Sequence, residues 1–190
     1  MTAIGALGAE DREALAALLD AISNYRARLA DGRNLMFAEK VRPLVELSGR
    51  LAALGELRVG GLALCSRVDG FGVYEPLAGE RLAAGREHEA IVYCEVENFS
   101  SRLNAQGQWE TNLAQEVVLY NEAGVRVWRD KPKSVTDVSR RQRRDFYTVQ
   151  RIRLPANLPA GHYRLGVTIR DEQLQRVAEA TVPIQIVAVP

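Results

Sequence analysis

Few residues in this sequence combine the types and the spacing that catalysis requires. The 190 residues include two histidines, His88 and His162, and no G-x-S-x-G motif. A catalytic base needs a nucleophile and an orienting group within hydrogen-bonding reach. His88 begins a predicted strand and His162 lies in a predicted turn. At these positions an exposed polar residue is a simpler interpretation of each histidine than a catalytic base. The sequence therefore predicts a protein without enzymatic activity.

Metal and cofactor binding are not indicated either. Zinc sites group four ligands in pairs at short spacing, whereas Cys65 and Cys94 are 29 positions apart. Glu95 and Glu97 lie two residues apart and have the chemistry to bind a cation, but a solvated strand face is the simpler interpretation. We expect two buried free thiols, with a disulfide as the alternative, and no cofactor.

The strongest local signal is a run of basic residues in a predicted loop. Its members are Lys131, Lys133, Arg140, Arg141, Arg143 and Arg144. Guanidinium groups suit carboxylates and phosphates, which makes this run a candidate docking surface for an acidic partner or polyanion. The simpler interpretation is an ordinary solvated loop, or one that the acidic 75–97 region neutralises. Within this run no aromatic residue supplies the stacking of single-strand binders. With 25 basic and 24 acidic residues overall, specific nucleic-acid binding is not expected.

Four aromatic residues in predicted loops form a second candidate surface. They are Phe71, Tyr74, Phe99 and Trp109. If these loops meet at one end of a β-sandwich, the rings form a binding patch, as loops on such scaffolds often do. The alternative is that each ring caps the hydrophobic core.

The composition is that of an ordinary globular protein. Hydrophobic residues make up 47% and charged residues 26%, so the chain can bury a core without disulfides or metals. The charge is unevenly distributed: residues 1–60 are neutral, 61–122 carry −6 and 123–190 carry +7. We expect the last two segments to fold against each other, so that their charges intermix.

Residues 9–57 have the composition and periodicity of helices. Two apolar stripes recur at steps of three and four residues. The first contains Leu15, Leu18, Ile22, Tyr25 and Leu29, and the second contains Phe37, Val41, Leu44, Leu47, Leu51 and Leu54. Gly32 suits a left-handed C-cap between them. Pro43 marks either the start of the second helix or a kink in it.

The two stripes predict an antiparallel, coiled-coil-like helical hairpin over residues 1–60. Each stripe covers about two heptads, fewer than the three to four of a free-standing coiled coil. The hairpin must therefore bury its stripes mutually, against the second half of the chain, or against another copy.

Residues 61–190 change to the period of two that is typical of strands. Seven strands are predicted, at 62–68, 88–98, 116–121, 125–130, 146–154, 163–170 and 180–186. No helical pattern separates them, which excludes βαβ units and predicts an antiparallel immunoglobulin-like β-sandwich. The fold class is α+β by content. Gly124 suits the positive-φ position of a hairpin, and Pro183 indicates an edge strand or a bulge.

A family resemblance supports this architecture. Leu158–Val167, with the sequence L-P-A-G-H-Y-R-L-G-V, resembles the entry to a late strand in immunoglobulin-like and fibronectin type III-like sandwiches. Val92–Asn98 is similar to an early strand, and Arg170–Arg176 resembles the final hairpin. The resemblance covers residues 62–187 and implies that Tyr163 is a tyrosine-corner residue. The chain also resembles an uncharacterised bacterial family that carries such domains behind helical segments. Neither resemblance implies an activity.

A narrower resemblance concerns one hairpin. Val118–Arg129 is similar to a stretch in intracellular proteinase inhibitors of the BsuPI type, which are also small immunoglobulin-like sandwiches. It implies a proteinase-inhibitor role as a further alternative.

Together these features predict a non-enzymatic protein-interaction or structural module. The expected partner is another protein with an acidic surface, or a second copy bound through the helices; a carbohydrate- or polyanion-binding sandwich is the alternative. No apolar run approaches the ~20 residues that span a bilayer, and the first residues lack the regions of a signal peptide. The sequence as it stands predicts a cytoplasmic protein, or an exported one if it is a fragment of a longer chain.

Overall fold

The computed structural model describes residues 8–31, 35–77, 81–143 and 146–188. It divides into two compact units, Met1–Glu56 and Leu57–Pro190. This division falls four residues before the predicted boundary, because Arg58 already begins the first strand.

In the first unit, the part of the chain that the structure describes forms two helices, α1 (Ala9–Ala30) and α2 (Phe37–Leu54). Arg28 donates a hydrogen bond of 2.8 Å to the carbonyl of Glu39, and Arg50 lies 3.7 Å from Asp20. Since the contact later along α2 lies at the earlier position along α1, the helices are antiparallel. Pro43 lies inside α2, so the helix does not begin there. The predicted cap at Gly32 lies outside the described residues.

The described residues of the second unit form eleven strands: β1 (Arg58–Gly70), β2 (Val73–Pro76), β3 (Arg81–Ala83), β4 (His88–Glu97), β5 (Arg102–Leu103), β6 (Trp109–Asn121), β7 (Arg126–Arg129), β8 (Lys133–Ser139), β9 (Phe146–Leu154), β10 (Gly161–Asp171) and β11 (Arg176–Val187). Sheet A has the order β2-β1-β4-β9. Sheet B has the order β3-β11-β10-β6. Strands β7 and β8 pair with the edge of β6 opposite β10, whereas β5 pairs with the start of β6 on the edge opposite β8. Every pairing is antiparallel except that of β11 with β3. The predicted α+β class with a β-sandwich is confirmed.

Alternation along the strands places the core between the two sheets. Val92 and Cys94 of sheet A and Leu165 and Ile169 of sheet B are fully buried, as side chains that point to one face of a pleated strand must be. Gly124 has φ 76° in the β6–β7 turn, as predicted.

Two loops are tied to the sandwich by single side chains. The Tyr163 hydroxyl donates to the Pro159 carbonyl over 2.8 Å, which confirms the tyrosine corner. Asp171 is 0% exposed, and its carboxylate accepts hydrogen bonds from the backbone N–H and the hydroxyl of Ser100, both at 2.7 Å. These bonds satisfy a buried charge and fix the start of the β4–β5 loop.

The prediction for Pro183 also agrees with the observed edge. Pro183 pairs with Arg164 of β10, and among the described residues β11 pairs with β3 only from Gln185 onward. An edge position suits a residue that has no N–H to donate.

Candidate functional site

The outer face of sheet A carries a cluster of packed aromatic side chains. Strand β1 pairs with β4 only as far as Cys65, and its pairing with β2 is irregular after that residue. Nevertheless, the N–H of Gly72 at the β1–β2 turn donates to the Tyr93 hydroxyl of β4 over 2.7 Å. The β1–β2 hairpin therefore bends back across the outer face of its own sheet.

This hairpin completes a cluster of four rings, which we call the aromatic stack: Phe71, Tyr74, Tyr93 and Tyr147. Ring centroids of Tyr93 lie 4.5 Å from Tyr74 and 5.5 Å from Tyr147. The ring of Phe71 meets Tyr147 edge-on at 6.1 Å. Such pairs contribute about 0.5–1.5 kcal/mol each beyond the area they bury. As a result Tyr93 is 0% exposed, although it lies on the face that alternation assigns to solvent.

The Tyr93 hydroxyl is held by two hydrogen bonds. It accepts from Gly72 and donates to Glu95 Oε1 over 2.7 Å. Burial raises the pKa of Tyr93 to about 12; the hydrogen bond from Gly72 lowers it and the Glu95 carboxylate raises it further. Tyr93 is thus a fixed, neutral structural group near pH 7. Gly72 has φ 67°, a left-handed conformation that favours glycine.

A cavity of about 410 Å³ opens beside the stack, and we call it the aromatic pocket. It is lined by Phe71, Val135, Asp137, Arg143, Phe146, Tyr147, Thr148 and Val149. Arg143 binds Asp137 through two hydrogen bonds, of 2.6 and 3.2 Å, a geometry that fixes both side chains. Phe71 remains 45% exposed. The pocket offers ring surface beside an oriented charged pair, and both can contact a ligand.

The predicted basic loop has a different structure. Residues 133–139 form strand β8, which pairs along β6, so the expectation of a loop is wrong for this stretch. Lys131 and Lys133 lie at one end of β8, and Arg140, Arg141 and Arg143 follow its other end. A strand of this length separates the two groups by about 20 Å. Alternating polar and small residues concealed β8 from pattern analysis. Arg144 lies outside the described residues.

The two lysines border a second cavity of about 630 Å³, which we call the basic groove. Its lining residues are Ser66, Glu89, Ala90, Ile91, Asp130, Lys131, Lys133, Arg151, Ile152 and Arg153. The Arg153 guanidinium lies 2.5 Å from Glu89 and 3.8 Å from Glu87, and these carboxylates raise its pKa. Most of the charge here is carried by long, exposed side chains.

The four predicted aromatic residues do not form one patch. Phe71 and Tyr74 join the aromatic stack, but Phe99 is 9% exposed and belongs to the core, with its ring centroid 5.4 Å from that of Phe146. Trp109 begins β6 and pairs with Leu103 and Ser139. Phe99 is directed inward because Asn98 takes a left-handed conformation, φ 58°, just before Ser100 is anchored on Asp171.

Sequence reasoning missed Tyr93, Tyr147 and Asp137 as parts of a site. The available signal was an outward-facing tyrosine on each of two predicted strands, β4 and β9. Two outward-facing tyrosines indicate a shared cluster only if their strands are neighbours. The sequence does not show that β4 pairs with β9, with Glu95 opposite Tyr147.

His88, Glu95 and Glu97 have structural partners. His88 Nε2 donates to the Ala83 carbonyl over 2.7 Å. Glu95 accepts from Tyr93, and Glu97 pairs with Arg58 at 3.4 Å, so these two carboxylates do not face a shared cation. No group of three metal-ligating side chains occurs within the described ranges. Neither described helix is long and apolar enough to cross a membrane.

Both cysteines are free and buried. Cys94 belongs to the core between the sheets. Cys65 pairs with Ile91, so its side chain points to the outer face of sheet A, as that of Ile91 does. Since the side chains leave sheet A in opposite directions, they do not bond to each other. Burial raises the pKa of Cys65 and raises that of Cys94 to about 12, so both are poor nucleophiles.

In the hairpin that resembles a stretch of proteinase inhibitors, the largest side chain, Trp128, is partly buried. Trp128 packs against the core, while the turn residues 122–125 are all exposed.

Comparison with known proteins identifies similar folds at a distance. A scan against protein-family models finds no match, and a sequence search of curated proteins finds none either. Among solved structures, Bacteroides uniformis beta-glucuronidase 2 aligns at TM-score 0.42 and 10% identity, over 69% of this chain and 14% of that one. The CARDB domain of the PF1109 protein from Pyrococcus furiosus aligns at 0.37 and 11%, over 71% and 93%. A Niemann-Pick type C2 protein from the Japanese carpenter ant aligns at 0.43 and 11%, over 70% and 94%. At this level the likeness carries no information about function.

Proposed function

We propose that this protein is a non-enzymatic binding module whose sandwich contacts its partner at the aromatic pocket. The observation that carries the proposal is the β1–β2 hairpin, folded over Tyr93 so that Phe71 stands exposed at the rim of a cavity. An exposed ring on a rigid support is the usual anchor of a protein interface.

The expected partner is a protein with an acidic surface. Arg140 and Arg141 lie in the loop that also carries Arg143, and both residues are exposed. An acidic segment with one apolar side chain would place that side chain beside Phe71 and its carboxylates on these arginines. The helical hairpin supplies docking or self-association.

A capture experiment with charge-matched variants tests this proposal. The tagged full chain is incubated with lysate of its own host at low and high salt, and bound proteins are identified by mass spectrometry. Phe71→Ala and the double variant Arg140→Glu/Arg141→Glu should both lose a protein that the unmodified chain retains. Lys131→Glu/Lys133→Glu, with the same charge change at the other end of β8, should retain it. Equal capture by all four proteins would contradict the proposal.

A carbohydrate ligand is the second candidate, favoured by ring faces beside an oriented Asp137–Arg143 pair. Aromatic faces pack on the apolar C–H surface of a sugar ring, and paired Asp and Arg side chains hydrogen-bond neighbouring hydroxyls. Binding on a glycan array that disappears in Phe71→Ala would replace the protein partner with a sugar. Retention on heparin that Lys131→Glu/Lys133→Glu abolishes would instead identify the basic groove as a polyanion site.

The inhibitor alternative has its own test. Unchanged activity of a panel of serine proteinases at micromolar protein would remove it.

A further inference from the structure

The two helices pack on each other through small side chains. On α1 the buried residues are Ala17 and Ala21, 1% and 5% exposed. The larger apolar residues immediately after them, Leu18 and Ile22, are 40% and 42% exposed, and Leu29 is 53% exposed. The apolar stripe of α1 therefore lies beside the contact with α2 rather than in it.

Helix α2 repeats this arrangement. Pro43 is buried, whereas the next residue, Leu44, is 38% exposed. Phe37 and Leu51, seven residues to either side of Leu44, are 76% and 39% exposed. On both helices the exposed apolar stripe thus follows the buried stripe by one residue.

One residue corresponds to a rotation of about 100° around a helix. When two antiparallel helices are viewed from one end, a step of one residue turns clockwise around one helix and anticlockwise around the other. Equal steps away from the shared contact therefore place both exposed stripes on the same side of the hairpin. The hairpin therefore has one continuous apolar side, which we call the leucine face: Leu18, Ile22, Leu29, Phe37, Leu44 and Leu51. The opposite side is polar, with ion pairs between Asp20 and Arg50 and between Arg42 and Glu46, at 3.7 and 2.8 Å.

The spacing indicates what kind of surface covers this face. Ile22 and Leu29 are seven residues apart, as are Phe37, Leu44 and Leu51, and a repeat of seven packs knobs-into-holes against other helices. Within the described ranges α1 and α2 are the helices of this chain, so a second copy is the direct source of matching ones.

Size and charge agree with a second copy. Helices of this length are about 27 Å long and about 10 Å across, and two of them side by side, about 10 Å apart, present a face about 20 Å wide. The leucine face therefore covers roughly 540 Å² in projection. The accessible area of such a ridged face is larger, and stable interfaces use about 800 Å² per partner. Residues 1–60 carry no net charge, so two copies do not repel each other.

We infer that two copies of the chain associate through their leucine faces to form an antiparallel four-helix bundle. This dimer is independent of the aromatic pocket, which lies in the other unit. Its two-fold symmetry makes the interface self-complementary.

Analytical ultracentrifugation of the full chain over micromolar concentrations tests the inference. We expect twice the chain mass for the unmodified protein and the single-chain mass for Ile22→Glu/Leu44→Glu. The matched control Ala16→Glu/Ala27→Glu adds the same charge to exposed positions on the polar side and should remain dimeric.

A milder variant separates association from folding. Alanine is the best helix former, so Ile22→Ala/Leu44→Ala preserves the helices, as circular dichroism can verify, and trims only the face. Its dimer dissociation constant should rise by roughly tenfold or more. An unmodified chain that stays monomeric, or a dimer unaffected by Ile22→Glu/Leu44→Glu, overturns the inference and leaves the face to another occupant.

Discussion

The aromatic pocket and the basic groove lie at opposite ends of β8, and they are built in different ways. Packed rings and a doubly bonded Asp137–Arg143 pair form the pocket. The groove is formed largely by exposed side chains such as Arg153, whose ion pairs are open to water. The comparison shows that a cluster of charges in the sequence is a weaker sign of a preorganised site than rings held by the fold. Four predictions test this difference, in order of decreasing effect.

Removal of the central ring should cause the largest loss of stability. Tyr93→Ala empties a fully buried position and leaves Gly72 N–H and Glu95 without a partner, so the free energy of unfolding should fall by about 3 kcal/mol or more. Ile91→Ala, on the same strand face but in the groove, should cost less because Ile91 is only half-buried. Urea denaturation measures both, and equal losses would remove the distinction.

A change at the hairpin tip should have a moderate effect. Gly72→Ala introduces a side chain at φ 67°, which costs about 1–2 kcal/mol, and it should weaken the cover over Tyr93. Gly70→Ala is the control, because a Cβ meets no atom within 4 Å at either glycine but only Gly72 of the two has a positive φ. Thermal melts of the two variants should differ, with Gly72→Ala the less stable.

High pH should loosen the pocket specifically. Because the native pKa of Tyr93 is raised from 10.0 to about 12, the unfolded chain ionises first. The stability that the protonated hydroxyl contributes is complete below pH 10 and is lost as the pH rises through 12. Unfolding measured across this interval should be less pH-dependent in Tyr93→Phe. Parallel curves for the two proteins would show that Tyr93 is not the group concerned.

The smallest effect should come from the groove. Arg153→Ala breaks exposed ion pairs with Glu87 and Glu89, which water and salt already screen. We expect little change in melting temperature at physiological salt. A clear loss of stability that added salt does not diminish would show that the groove is as rigid as the pocket.

Local patterns were sufficient for the architecture because they reflect local physics. The alternation of Val92, Cys94 and Val96 predicts a half-buried strand, and the L-P-A-G-H-Y segment predicts the corner at Tyr163; both are present. Strand β8 was missed because residues such as Ser134 and Thr136 alternate without a strong apolar signal. The β1–β2 hairpin was missed because its bend depends on contacts with β4 and β9.

The sequence alone determined the helical hairpin, the sandwich class, the edge position of Pro183 and the left-handed turn at Gly124. Each depends on propensity, period or backbone sterics within a few residues. Only the tertiary structure decided that Phe99 belongs to the core and that Phe71 and Tyr74 enclose Tyr93. It also separated the basic residues into two groups. The reason is that these arrangements depend on which strands are neighbours, and strand neighbours are chosen by packing across the whole sandwich rather than by any single segment.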